Sequence, residues 1–256
     1  MLTQKHILSN IKACVLSLAA LCIISTTIVA QSPKTDANAP SSSMTPPIRA
    51  LAVGFEDEQR EYHILDQDNR STGTIRLNLR GYTSEFMCPI VEGSIRFGLE
   101  SGQDEDGNIL YTPEVIVPWK TNYKKVCLVF IPKSFTGKKD LKQPYVVSFM
   151  DMSEEGFETG TTKVVNLAPV TAYVRFGEHQ KAVETGRVVV IPKIEEVKRA
   201  NMVQLSVYHM VDDAPHRVQE TRVRYLDRIR YLIVLYPDFV NRRMGVASIL
   251  DYGNLF

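Results

Sequence analysis

The densest group of side chains able to do chemistry lies in His209-Met-Val-Asp212-Asp213-Ala-Pro-His216, which holds two imidazoles and two carboxylates. Such groups are common metal ligands, and a strand-turn-strand would bring them together. The spacing matches no recognised ligand pattern, however, and Asp-Asp-Ala-Pro is typical of a surface turn. We therefore predict a turn, no metal ion and no cofactor, and keep His209, Asp212, Asp213 and His216 as the set to test for a metal.

A second group is basic, since residues 216–243 contain seven arginines against three acidic residues. Arg222 and Arg224 alternate with apolar residues and would share one face of a strand, and Arg228 and Arg230 are spaced in the same way. Arginine surfaces interleaved with tyrosine bind anionic polymers or acidic proteins. The alternative is a solvated strand face whose arginines pair with acids on neighbouring strands.

Sequence motifs for catalysis are missing. The chain has no nucleophile elbow, no S-x-x-K in a suitable context and no glycine-rich phosphate loop. A carboxylate pair for glycoside hydrolysis needs only proximity in space, which spacing along a β-fold does not reveal. We predict a non-catalytic protein and keep a hydrolase of cell-envelope carbohydrate, with an unidentified carboxylate pair, as the alternative.

The body of the chain consists of short runs rich in Val, Ile, Tyr and Phe that are separated by Gly, Pro, Asn and Asp. This pattern predicts an all-β sandwich. In VCLVFIP (Val126–Pro132) and YLIVLYP (Tyr231–Pro237) nearly every position is apolar. These two segments are therefore predicted to be central strands that are covered on both faces.

Five short patterns recur in the same order in the two halves of the body, which suggests an internal duplication. They are Thr72-Gly-Thr and Thr159-Gly-Thr, Arg96-Phe-Gly and Arg175-Phe-Gly, Val115–Pro118 and Val189–Pro192, Leu128–Phe135 and Ile233–Phe239, and Ser148–Asp151 and Ser248–Asp251. We predict two tandem immunoglobulin-like β-sandwich modules, residues 48–152 and 153–256, each of the size of a seven-stranded sandwich.

The N-terminus predicts export. Lys5 and Lys12 precede an uncharged apolar run, residues 13–30, that ends in Ala30. This is the pattern of a signal peptide over residues 1–30, cleaved after Ala30, and residues 31–47 have the Ser/Pro-rich composition of a flexible linker. The predicted location is the periplasm or the cell exterior. The alternative is an uncleaved anchor in the inner membrane.

Removal of the signal peptide would leave two cysteines, Cys88 and Cys127. An oxidising compartment favours a disulfide between them. Two buried free thiols are the alternative, because sequence alone contains no geometry.

The charge balance limits the partners. Thirty Lys and Arg stand against 29 Asp and Glu, whereas dedicated nucleic-acid binders are usually basic. We expect an envelope protein or an anionic polymer as partner and no nucleic acid. Membrane contact is expected only if residues 13–30 stay uncleaved, and the oligomeric state is not predicted.

Residues 145–192 carry a resemblance. Phe157-Glu-Thr-Gly160 leads into TG-T-x-VVNLAP, followed by YVRFGE, a glycine at Gly186 and VVVIP. This order resembles modules of exported all-β proteins from Verrucomicrobia-type bacteria, in which a strand ending in Asn-Leu-x-Pro precedes a short strand and a glycine-led strand. The resemblance implies fold and export. It implies no activity, since its motifs consist of turn and core residues.

Overall fold

The computed structural model describes residues 43–53, 60–78, 81–136, 140–197, 199–239 and 241–252. Within these ranges the secondary structure is almost entirely β, with fifteen strands in four sheets. The all-β prediction is therefore confirmed. The predicted signal peptide lies outside the described residues. No helix in the described ranges is long and apolar enough to cross a membrane.

The first seven strands form one pair of sheets, called here the first sheet pair. Its strands are β1 (Ile48–Ala52), β2 (Glu61–Leu65), β3 (Ser71–Arg76), β4 (Ser94–Gln103), β5 (Ile109–Pro118), β6 (Val126–Pro132) and β7 (Tyr145–Asp151). One sheet has the order β1-β6-β7 and the other β3-β2-β4-β5. A short helix, α1 (Lys133–Thr136), follows β6. Ser43 and Thr45, within the predicted linker, hydrogen-bond to Ile90 and Cys88 and so belong to the fold.

The remaining eight strands form the second sheet pair. They are β8 (Thr162–Asn166), β9 (Ala172–Phe176), β10 (His179–Val183), β11 (Val188–Ile191), β12 (Met202–Val211), β13 (Ala214–Arg224), β14 (Arg230–Asp238) and β15 (Arg243–Asp251). One sheet has the order β11-β8-β14-β15 and the other β10-β9-β12-β13. A 3-10 turn, Arg199–Asn201, leads into β12.

Each sheet pair encloses its own apolar core, because alternate residues of a strand point to the same face. Tyr62, Phe97 and Phe130 fill the first core with ring–ring contacts at centroid distances of 5.6–6.4 Å. Phe176 and Leu205 are buried in the second core.

A third apolar layer lies between the two pairs, where the β1-β6-β7 sheet packs on the β11-β8-β14-β15 sheet. Val126 and Leu128 of β6 face the first core, whereas Cys127 between them faces the second sheet pair. On β14, Ile233 faces the second core, whereas Leu232 faces the first sheet pair. Both strands are central and covered on both faces, as their continuous apolar runs predicted.

The two sheet pairs share one strand arrangement. β1 pairs in parallel with β6, which pairs antiparallel with β7, and β8, β14 and β15 repeat this arrangement. The order β3-β2-β4-β5 is matched by β10-β9-β12-β13, and β11 is the one added strand. A constant-type immunoglobulin domain pairs its third strand with its sixth and seventh. Here the first strand takes that place, so the immunoglobulin-like part of the prediction is not confirmed.

The five sequence echoes follow this equivalence only in part. The echo of Leu128–Phe135 in Ile233–Phe239 falls on the equivalent strands β6 and β14 in matching register. The echo between Ser148–Asp151 and Ser248–Asp251 falls on equivalent strands but is one residue out of register. A slip of one residue reverses the facing of every side chain. The other three echoes join strands or turns that are not equivalent.

The predicted disulfide is wrong, since Cys88 and Cys127 are both free and buried. Cys88 lies in the first core, whereas Cys127 faces the layer between the sheet pairs. The two thiols are therefore separated by the β1-β6-β7 sheet and cannot approach bonding distance. Burial raises the pKa of the Cys88 thiol to about 12, and burial also raises the pKa of Cys127.

We expect both thiols to be inert in the folded protein, because they are buried and their raised pKa values keep them protonated. A maleimide reagent at pH 7 should label neither cysteine in buffer and both in denaturant without reductant, as measured by intact mass. If labelling in denaturant requires prior reduction, the two cysteines form a disulfide and the prediction of free thiols is wrong.

Candidate functional site at the junction

A buried carboxylate joins the two sheet pairs at one end of the layer between them. Asp251 is 4% exposed and accepts a hydrogen bond of 3.0 Å from Nη1 of Arg49. Nη1 of Arg230 lies 3.9 Å from its other oxygen. Since Arg49 belongs to the first sheet pair, this cluster is an electrostatic contact between the two pairs.

Strand register brings these three residues together. Arg230 is the first residue of β14 and Asp251 the last of β15, and they are directly opposed in the antiparallel pair. Directly opposed residues point to the same face. Arg49 lies between Ile48 and Ala50 of β1, which face the first core, so its side chain points the opposite way, towards Asp251.

Phe157 covers this cluster from the segment that links the two sheet pairs. Its ring is buried and lies 4.8 Å from Nζ of Lys163 and 5.7 Å from the guanidinium carbon of Arg230. Cation–π contacts of this kind hold partly desolvated cations in place. Lys163 also donates to the backbone carbonyl of Asp151 at 3.3 Å. Burial lowers the pKa of Lys163, and the nearby Asp151 carboxylate opposes that shift.

Next to the cluster the surface opens into a groove of about 570 Å³, called here the junction groove. Its lining residues are Lys124, Lys125, Met152, Ser153, Glu154, Glu155, Thr159, Arg228, Arg230 and Tyr252. Four of these side chains are cationic and two are acidic. The groove is therefore electropositive, although the whole chain is close to neutral.

The cations of the groove differ in how they are paired. Arg230 contacts Oε2 of Glu154 at 3.2 Å and donates to the carbonyl of Met152. Lys124, Lys125 and Arg228 are exposed, and no carboxylate of the described residues lies within 4.0 Å of their cationic nitrogens. Three positive charges thus face the groove without an ion-pair partner in the described part of the chain.

Glu154 is fixed on the wall of the groove. Its carboxylate accepts hydrogen bonds from the backbone N–H of Thr159 at 2.7 Å and from the Thr159 hydroxyl at 2.9 Å. These bonds, led by the one from the backbone, and the charge of Arg230 lower the pKa of Glu154. A group with a lowered pKa is ionised at neutral pH and is a poor general acid.

The structure divides the four arginines predicted as one basic face. In the second sheet pair, the β11-β8-β14-β15 sheet that packs on the first pair is called here the inner sheet, and the β10-β9-β12-β13 sheet the outer sheet. Arg222 and Arg224 are exposed on β13, the edge strand of the outer sheet, while Tyr225 next to them is buried in the second core. Arg228 and Arg230 lie in the junction groove. The chain passes from the outer sheet to the inner sheet between Arg224 and Arg230, which separates the two halves of the set.

The predicted turn at Asp212 and Asp213 is present. Both residues have positive φ, 49° and 62°, and they form the two-residue turn between β12 and β13. His209 and His216 are opposed on the two strands. In the described ranges no group of three or more His, Cys, Asp or Glu could hold a metal ion, so the two aspartates do not join the histidines in one.

Lys124, Lys125, Arg49 and Asp251 were not predicted from the sequence. The sequence did contain a signal for the first two. Lys124 and Lys125 directly precede a continuous apolar strand, and a basic pair at the start of a central strand lies at the end of the sheet, where it reaches solvent. Arg49 and Asp251 are 202 residues apart in the sequence. No local pattern connects them.

The two carboxylates that line the groove, Glu154 and Glu155, are the pair to weigh for the hydrolase alternative. Glu154 has a lowered pKa. The same direction of shift, caused by hydrogen bonds, is found for the exposed Asp104 and Asp238 elsewhere in the structure. A glycosidase needs one carboxyl with a raised pKa as its general acid.

No family model and no curated protein matches the chain.

We expect Asp251→Asn to lower the free energy of unfolding by about 3 kcal/mol, because it takes the buried carboxylate away from the half-buried guanidinium groups of Arg49 and Arg230. Glu85→Gln is the matched control. Glu85 contacts the same Arg49 at 3.2 Å but is 48% exposed, so its loss should cost about 0.5 kcal/mol or less. Urea denaturation of both variants measures the difference. Equal effects would show that the buried cluster does not hold the pairs together.

Proposed function

We propose that the protein is an exported, non-catalytic binding component of the cell envelope that holds an anionic polymer in the junction groove. The observation that carries this proposal is the set of three cations, Lys124, Lys125 and Arg228, that line an open groove without an ion-pair partner among the described residues. Cations focused in a cleft attract and retain polyanions.

The surroundings of the groove favour binding over catalysis. Its shape is set by the Arg49–Asp251–Arg230 cluster and by the covering ring of Phe157, which fix the two sheet pairs relative to each other. A preformed site binds with a smaller loss of conformational entropy than a flexible one. An open groove also suits a chain-like ligand, because the rest of the ligand can stay in solvent.

The proposal includes two tandem modules of common origin. It is supported by the repeated strand arrangement and by the separate apolar core of each sheet pair. The groove then lies where the modules meet, since Lys124 and Lys125 precede β6 of the first pair and Arg228 precedes β14 of the second.

The proposed location is the periplasm or the cell exterior. It is supported by the basic, then apolar N-terminal pattern that ends at Ala30. An envelope location would also supply ligands of the proposed kind, because carboxylate- and phosphate-bearing polymers are abundant there.

Charge reversal tests the groove. Lys124→Glu combined with Lys125→Glu should weaken binding to dextran sulfate and to polyglutamate by about tenfold or more at low salt, because it reverses two of the three cations that face the groove. Calorimetry at two salt concentrations measures the affinity, and the difference between wild type and variant should shrink as salt is added.

The matched control is Arg222→Glu combined with Arg224→Glu, which reverses the same number of charges on exposed β13. We expect it to leave the affinity within about twofold of wild type. If only the control variant weakens polymer binding, the binding site lies on the outer sheet. Equal weakening by both, or no binding of either polymer by the wild type, would contradict a site in the groove.

Export is tested separately. In a host with a secretory pathway, the purified protein should begin at Gln31, as measured by N-terminal sequencing and intact mass. A full-length chain in the membrane fraction would favour the uncleaved anchor instead.

A further inference from the structure

The histidine pair on the β12–β13 hairpin has a geometry that the groove does not explain. His209 and His216 are directly opposed across the two antiparallel strands, with ring centroids 5.1 Å apart and ring planes inclined at 46°. The two-residue turn at Asp212 and Asp213 closes the hairpin only a few residues away. The strand register and this tight turn therefore hold the two imidazoles side by side.

His209 has an unsatisfied ring nitrogen. Its Nδ1 atom is buried and has no hydrogen-bond partner among the described residues. On the other side of β12 its direct neighbour is Ala172 of β9, whose small side chain offers no polar group. Buried polar atoms are nearly always paired, so an orphaned imidazole nitrogen indicates a missing partner. His216 is exposed, which leaves the pair open to solvent.

The separation of the rings fits a shared metal ion. With metal–nitrogen bonds of about 2.0–2.1 Å, two imidazoles on a tetrahedral ion have ring centroids about 5 Å apart. The observed 5.1 Å agrees with that value. Neutral imidazole is a preferred ligand of Zn²⁺ and of its neighbours in the first transition series.

We propose that His209 and His216 bind a divalent transition-metal ion, with Zn²⁺ as the ion that the geometry favours. Since no third His, Cys, Asp or Glu in the described ranges joins the pair, the remaining positions belong to water or to an incoming ligand. The site is thus an open two-histidine site at the tip of the outer sheet. It differs from structural zinc sites, which have four protein ligands. It is independent of the junction groove.

The test uses the full chain without a histidine tag, titrated calorimetrically with ZnCl2 at pH 7.5. We expect one saturable site and a rise in the midpoint of thermal unfolding that a chelator reverses, because an ion that binds the folded state stabilises it. His216→Gln should abolish both effects. Since His216 is exposed, this substitution should leave the unfolding midpoint without metal unchanged.

Two further variants complete the test. His209→Gln removes the half-buried member of the pair and should also abolish zinc binding. His179→Gln is the matched control, because His179 lies on β10 against the carbonyl of Lys193 and away from the hairpin, and it should bind zinc as the wild type does. Absence of a saturable site, or a site that survives His216→Gln, overturns the proposal.

Discussion

The packing of one sheet of each pair on the other is the constraint on which the rest of the structure depends. It requires β6 and β14 to be apolar on both faces, since each strand contributes to its own core and to the shared layer. It also places the Asp251 carboxylate within reach of Arg49 from the first sheet pair and of Arg230 from the second. The junction groove lies at the end of the apolar layer between the sheet pairs, where polar side chains reach solvent.

Much of the fold could be predicted from local pattern. The continuous apolar runs of Val126–Pro132 and Tyr231–Pro237 specified two central strands, because a strand buried on both faces has no polar period. The arrangement of the strands in the sheets could not be predicted from local pattern. The five echoes occur in the same order in both halves, but strands of similar composition resemble one another wherever they lie. Only the pairing register distinguishes equivalent strands from a chance resemblance.

The candidate site was predictable only where it followed from nearby residues. Arg222, Arg224, Arg228 and Arg230 are close in sequence, but the passage between two sheets sends the first two and the last two to different surfaces. The disulfide prediction was wrong for a related reason. Cys127 stands at an odd position of a strand whose even positions face the first core, so alternation along β6 already pointed its thiol away from Cys88.

The parallel pairing of β1 with β6 has a mechanical consequence. The chain reaches β1 from Ser43 and Thr45, and β1 then runs in the same direction as its neighbour β6 from Ile48 to Ala52. A pull along that chain, from whatever holds its N-terminal side, is directed along the strand axis. All the hydrogen bonds between the two strands then bear the load together in shear, where an antiparallel hairpin pulled at its open end would unzip one rung at a time.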